Sequence, residues 1–291
     1  MAGPAECGRH QRRARQRGRL LWRRLRVPLT VISTDLLLAE VTGSAGTLAG
    51  IAATADLTTT VPTCPDWTLR QLATHVGRVQ RWATEIVSTR SAQPVNFRDV
   101  PDGRIPDDPA ERAGWLRAGA GRLVSVLGQA GDVPVWAFGR QRPASFWARR
   151  MTNETAVHGA DAQIAVSGVQ GQPSTPAIPA DVAADGIDEW LTELSAPGDG
   201  QPDPRAAGLA EGESLHVHAA DVPDGTGEWL VAHDPAGITV RRVHDKGTVA
   251  LRGGASDLLL VLLQRLPPAA PSVQLHGDPA VLRRWLDNVQ F

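Results

Sequence analysis

The sequence predicts an α+β protein, with an N-terminal four-helix bundle followed by a smaller domain built on a mostly antiparallel sheet. Three observations lead there. Between Leu36 and Val166 apolar side chains recur every three to four positions in four separate stretches, the helical period. Gly, Pro, Ser and Gln then crowd Gly168–Pro179, the composition of a linker. After Ser214 the apolar period falls to two, as in strands with one covered face. A chain of 291 residues, 42% hydrophobic and 21% charged, can bury two such cores and is not of the disordered class.

The elements follow in order. Ser33-Thr34-Asp35 offers capping chemistry ahead of a first helix over Leu36–Ala55. A Thr/Pro stretch, Thr58–Pro65, breaks it, and Thr68 caps a second helix running to Thr89. A loop over Gln93–Asp107 precedes a third, Pro109–Gln129, and Pro143 opens a fourth that runs to about Val166. Four amphipathic helices with one long connection make a bundle over residues 31–167. Past the linker, residues 178–291 read as a short helix (Asp181–Leu194), a loose loop (Ala196–Glu213) and four strands. These are Leu215–Ala219, Glu228–His233, Ile238–Val243 and Thr248–Arg252. A helix (Ala255–Arg265), a strand (Val273–His276) and a helix (Pro279–Val289) close the domain.

The first 26 residues hold nine Arg and one acid, leaving the rest of the chain with 21 basic and 30 acidic residues, a net of −9. Residues 1–30 read as an extension outside the fold, in a chain whose single lysine, Lys246, marks the arginine excess of a GC-rich genome. An acidic body argues against a nucleic-acid partner. Continuous apolar runs such as Leu258–Leu263 fall far short of the ~20 residues that span a bilayer, and no apolar core of a signal peptide follows the basic segment. Two cysteines, Cys7 and Cys64, imply no disulfide framework and a reducing cytoplasm. No phosphate-binding or dinucleotide fingerprint is present.

At about 100° per residue, Leu72, Val76, Val79, Ala83 and Ile86 share one line along the second helix, with His75 and Trp82 beside it. On the fourth helix Trp147, Met151, Glu154, His158, Asp161 and Ala165 share another, so Glu154 and His158 sit where packing wants leucine. A buried carboxylate must be paired, protonated or metal-bound. Glu and His one turn apart can reach one ion, and a histidine from a facing helix completes a His₂Glu set with a position left open. The same spacing on an exposed face is a weak ion pair, and spacing alone leaves both readings open. Asp161 is either a hydrogen-bond partner of a ligand histidine or the polar edge of the stripe. Trp82 and Trp147 are candidate pocket walls. Cys64 precedes a helix whose amides would lower its pKa, with packing against Trp67 the plainer role. His216 and His218 share one side of a strand, a spacing that can bind metal. With no carboxylate pattern nearby, they read as ordinary strand residues.

The stretch Val61-Pro62-Thr63-Cys64-Pro65-Asp66-Trp67-Thr68-Leu69, running into Leu72-Ala73-Thr74-His75-Val76-Gly77-Arg78-Val79, resembles the metal-binding start of the mycothiol-dependent maleylpyruvate isomerase family. Arg150-Met151-Thr152-Asn153-Glu154-Thr155-Ala156-Val157-His158-Gly159-Ala160-Asp161-Ala162 resembles its second metal motif, and Gly253–Leu260 with Gly277–Leu282 the end of its C-terminal domain. The resemblance implies a DinB-like four-helix bundle holding a divalent metal, zinc, on His75, Glu154 and His158. It also implies mycothiol as thiol cosubstrate and a small-molecule electrophile as substrate; the acidic body and short apolar runs already speak against nucleic acid or membrane as partner. In that chemistry the thiol adds to a cis double bond of maleylpyruvate, and rotation and elimination give the trans isomer. Zinc favours the thiolate and so creates the nucleophile. Substrate carboxylates need cations, for which Arg78, Arg81 and Arg150 lie near the site and Arg265 reaches from the C-terminal domain. The small pair Gly159-Ala160, where such sequences often carry Arg or another large residue, leaves pocket and substrate open. A metal-dependent hydrolase on the same bundle and a non-enzymatic binding module are the rival readings.

Overall fold

A computed structural model describes residues 32–170, 176–197 and 201–290. The extension over residues 1–30 and the centre of the linker lie outside them.

Four long helices pack on one another: α1 (Thr34–Thr54), α2 (Leu69–Ser88), α3 (Pro109–Ala130) and α4 (Ser145–Gln170). Both α1 and α2 lie against α3 and α4. Each start has a local cause. Ser33 Oγ accepts from the Leu36 amide, Thr68 and Gln71 form a reciprocal capping box, and Asp108 caps α3 with Pro109 at its first position. By length and composition α1 is apolar enough to cross a membrane, although no continuous apolar run in it is that long. Here it is a bundle helix, with Leu37, Leu38, Val41, Ala45, Leu48, Ala49 and Ala52 buried.

Two small hairpins replace expected loops. β1 (Thr60–Val61) pairs with β2 (Cys64–Thr68) in the Thr/Pro break. β3 (Pro134–Ala137) pairs with β4 (Arg140–Pro143), so Pro143 ends a strand and α4 starts at Ser145. The turn between them, Phe138-Gly139, has φ of 45° and 85°, the positive pair a type I′ turn needs.

The fourth helix is not amphipathic as expected but buried almost all round. Trp147, Ala148 and Met151 join Val79, Ile86 and Leu123 in one bundle core, while Ala162 and Ala165 join Leu72 and Leu116 in a second. Ala156 and Ala160 face the other way, into the core of the C-terminal half with Leu191, Trp229 and Leu258. A helix covered on every side reads as central rather than peripheral.

The C-terminal half opens with α5 (Ala180–Glu189), continued by a π-helical turn over Trp190–Leu194, and a short α6 (Arg205–Gly208) in the stretch expected to be loop. Its sheet comprises β5 (Ser214–Ala219), β6 (Glu228–Asp234), β7 (Gly237–Arg241), β8 (Val249–Gly253) and β9 (Gln274–Gly277), in the order β7-β6-β5-β8-β9. The β5–β8 pair is parallel and the other pairs are antiparallel. Helices α7 (Ala255–Leu262) and α8 (Pro279–Asn288) complete it around a core that includes Trp190, Trp229 and Trp285. Ion pairs join the halves: Arg149 of α4 reaches Asp185 and Asp188, and Arg150 reaches Glu189.

Candidate metal centre and its cleft

The capping box starts α2 so that His75, two turns on, faces α4 at the level of Glu154. His75 Nε2 lies 2.8 Å from Glu154 Oε1, and His158 Nε2 lies 3.4 Å from the same oxygen. The three donor atoms fall within 4.8 Å of one another. Two imidazole nitrogens and one carboxylate oxygen converging in a partly buried place form a donor set that fits a divalent ion of the zinc kind. The other imidazole nitrogen of His158, Nδ1, is 2.9 Å from Asp161 Oδ2, the carboxylate–histidine pairing that orients a ligand histidine.

The charges are settled by neighbours rather than by water. Burial pushes the Glu154 carboxyl up, but the Arg150 charge and the bonds from His158 and His75 outweigh it and hold Glu154 well below its usual range. Burial pulls His158 down, yet hydrogen bonds to Asp161 and Glu154 and their charges lift it to about 9. Asp161, driven up by burial, is brought below its usual value by His158, Arg265 and Thr63. Thr63 donates to Asp161 Oδ1 at 2.6 Å and Arg265 Nε to the same oxygen at 3.2 Å.

These groups open on a cleft of about 720 Å³ whose lining includes Cys64, Trp67, His75, Glu154, His158 and Arg265. Trp67 packs on both histidines, with ring centres 4.9 Å from His75 and 6.0 Å from His158, and Phe97 flanks His75 at 6.5 Å.

The arginines separate by place. Arg265 stands in the cleft, with its Nη2 4.0 Å from Cys64 Sγ. Arg150 also lines the cleft, but its guanidinium is buried between Glu154 and Glu189, where it orients the Glu154 carboxylate. Arg78 does not line this cleft but a neighbouring pocket on the far side of His75, donating to the Gly103 carbonyl at 2.8 Å with its guanidinium over the Phe97 ring. Arg81 turns away, onto Asp102 and the face of Trp115.

Three expectations need correction. Trp82 lines the cleft, but Trp147 is fully buried in the bundle core with its indole N–H on the Trp136 carbonyl. Cys64 lies on β2 ahead of the helix, and burial, then the charge of Asp161, push its thiol up rather than down. Gly159 and Ala160 do not shape the cleft: Gly159 faces Ser44 of α1, and Ala160 packs in the C-terminal core. Sequence reasoning also passed over Thr63, Phe97, Phe138 and Glu189. The turn at Phe138-Gly139, which hangs Phe138 over the cleft, carries none of the usual hairpin dipeptides.

Fold and site together define a two-part α+β protein with a His-Glu-His centre in its helical half and a sheet-bearing half contributing an arginine. The family model described as the mycothiol maleylpyruvate isomerase N-terminal domain matches residues 37–163, and the model of the corresponding C-terminal domain matches residues 181–284. The chain belongs to the mycothiol maleylpyruvate isomerase family. Among solved structures, a mycothiol-dependent maleylpyruvate isomerase matches with a TM-score of 0.52 at 14% identity, over 85% of this chain and 95% of that one. A histidine-to-alanine mutant of such an isomerase matches at 0.53 and 13% identity with the same coverage. At these identities the likeness speaks for the fold. No curated protein matches the chain.

Proposed function

We propose that the chain is a metal-dependent and mycothiol-dependent isomerase or thiol transferase acting on a small electrophile, with maleylpyruvate the substrate that its family name suggests. The observation that carries this reading is the convergence of His75 Nε2, Glu154 Oε1 and His158 Nε2 at the wall of a cleft that also holds Arg265. His75, Glu154 and His158 would hold the ion, zinc by the donor set, and the chemistry it supplies when bound is stabilisation of a thiolate over a thiol at neutral pH.

The chain's own residues do the rest. Arg150 keeps Glu154 ionised and turned so that one oxygen faces the histidines. Asp161 accepts from Nδ1 of His158, which directs Nε2 towards Glu154 and His75, where it would hold the ion once that nitrogen has released its proton. Arg265 offers a planar cation for a substrate carboxylate within reach of the same centre, while Arg78 faces the neighbouring pocket that His75 also lines. Trp67 and Phe97 pack against the His75 ring and fix its position. Cys64, the one cysteine among the described residues, is disfavoured as a thiolate by burial and by Asp161, which fits a thiol brought in as cosubstrate.

The test is elemental analysis of the purified chain beside Glu154→Ala and His158→Ala, coupled to turnover of electrophilic substrates with and without mycothiol. Each variant is expected to hold one metal ion per chain fewer than the wild type and to lose thiol-dependent turnover. Turnover that needs metal but not thiol would favour a hydrolase on the same bundle. An unchanged metal content in both variants would overturn the reading.

A further inference from the structure

Outside the bundle, three more imidazoles converge on one carboxylate. Alternation along β5 puts His216 and His218 on the same face of the sheet, and the antiparallel register sets Glu228 of β6 directly opposite His218. The loop after β7 brings His244 onto the same point. His216 Nε2 is 3.0 Å and His244 Nδ1 2.6 Å from Glu228 Oε2, and His218 Nε2 is 3.9 Å from Oε1. The three rings form a nearly equilateral triangle, with centre-to-centre distances of 6.1, 5.9 and 6.1 Å. The donor atoms of His216, Glu228 and His244 lie within 4.8 Å of one another.

The carboxylate missing from the sequence pattern is therefore supplied by the neighbouring strand. Ligands of a tetrahedral zinc-type ion stand about 3.3 Å apart, given bonds of about 2.0–2.1 Å. The two separations on Glu228 Oε2, 3.0 Å from His216 and 2.6 Å from His244, fall a little inside that spacing. His218 stands beside the set, with its Nε2 3.9 Å from the other oxygen, Oε1. The set is graded in depth: His216 is buried, Glu228 and His218 are partly covered, and His244 is exposed, so an ion has a way in from the His244 side. The loop that carries His244 is anchored on both sides. Arg242 bonds both oxygens of Asp188 on α5, and a Cβ on Gly247 would come within 2.9 Å of the His216 amide nitrogen. None of these residues lines the bundle cleft.

We propose that His216, Glu228 and His244 bind a divalent transition-metal ion of the zinc, copper or nickel kind, and that this ion clamps the 242–248 loop to the sheet. These three ligands come from β5, β6 and the loop after β7, so one bound ion ties the loop to the sheet. The mixture of nitrogen and oxygen donors without thiolate selects such ions over calcium or magnesium.

The chain provides its own probe. Lys246, its single lysine, is exposed and lies in the clamped loop, two residues from His244, so a lysine-specific protease has one cutting site. The full chain is stripped of metal and divided, and one portion is reloaded with Zn²⁺. Zinc is counted by elemental analysis, and the cutting rate at Lys246 is followed by gel. Wild type is expected to hold one ion per chain more than His244→Ala and to be cut severalfold more slowly when loaded. His244 is largely exposed, so its replacement leaves the fold intact, and Glu228→Gln, close in shape to the native residue, provides a second variant with the same expected loss of protection. Glu154→Ala, which disables the bundle centre, is expected to keep the zinc-dependent protection in full, so the two sites succeed or fail separately. Equal zinc content in wild type and His244→Ala, or a cutting rate at Lys246 that zinc does not change, overturns the proposal and leaves Glu228 as a hydrogen-bond acceptor for its histidines.

Discussion

His158 sits between two carboxylates, and its proton is held in the folded chain to a pH far above that of a free imidazole. In the metal-stripped protein this has a sign that can be checked. The group's folded pKa of about 9 exceeds its ordinary 6.5, so its contribution to stability is complete below pH 6.5 and is lost as pH rises through 9. Urea midpoints of stripped wild type are expected to fall between pH 6.5 and 9, and those of His158→Gln to stay level there. A parallel fall in the variant would assign the loss to another group. The placement of Glu154 and His158 was legible in the sequence because a carboxylate and an imidazole at the centre of an apolar stripe violate packing unless they have partners. The partners themselves were not legible. Thr63 and Trp67 arrive through the small β1–β2 hairpin, and Arg150 could be placed near the site but not bound to Glu154 and Glu189, since side-chain pairing across elements leaves no periodic trace.

Among the elements, α2 and α3 approach so closely at one place that only glycine fits. A Cβ on Gly77 would fall 2.2 Å from the ring of Trp115, whose indole N–H is fixed on Asp102 and whose face carries Arg81. That ring cannot yield as a flexible chain end could. Gly77→Ala is therefore expected to destabilise the fold by about 1–3 kcal/mol through overpacking, read as a lower denaturant midpoint at unchanged slope. Because His75 lies two residues before Gly77, the same variant is expected to bind metal more weakly. The long helices were legible through caps and period, Thr68 and Asp108 above all. The β3–β4 hairpin was hidden because its turn pairs Phe with Gly, and Pro143 could equally begin a helix. The all-round burial of α4 was hidden as well: the sequence shows one apolar stripe, and the second contact is made through alanines, which carry little periodic signal.

Taken whole, the molecule is two cores that share one helix. Met151 and Ala165 of α4 serve the bundle while Ala156 and Ala160 serve the sheet half, and Arg149 ties the helix to Asp185 and Asp188 of α5. Removing that arginine leaves the buried Asp188 with Arg242 as its remaining guanidinium. Arg149→Ala is expected to cost roughly 3 kcal/mol. Tryptophan fluorescence and far-UV circular dichroism should still trace one coincident transition, because neither core can open without the other. Separate transitions by the two probes would show that the halves unfold independently. The composition shift at Gly168–Pro179 revealed that there are two halves, but not that they are fused through a common helix.

The feature with the longest reach is Asp161, whose carboxylate is shared by Thr63 before β2, His158 on α4 and Arg265 after α7. One charge thus answers to three distant stretches of chain, and its consequence is hereditary. A substitution at 63, 161 or 265 changes the partner of the other two, and covariation of the three positions among relatives is the expected result. The bundle half cannot be traded freely with a relative's. A graft that joins this bundle to a foreign sheet half brings a balanced site only when the foreign half delivers its own arginine to the place of Arg265. The seam between the halves is where recombination would find the two easiest to part in sequence and hardest to part in chemistry.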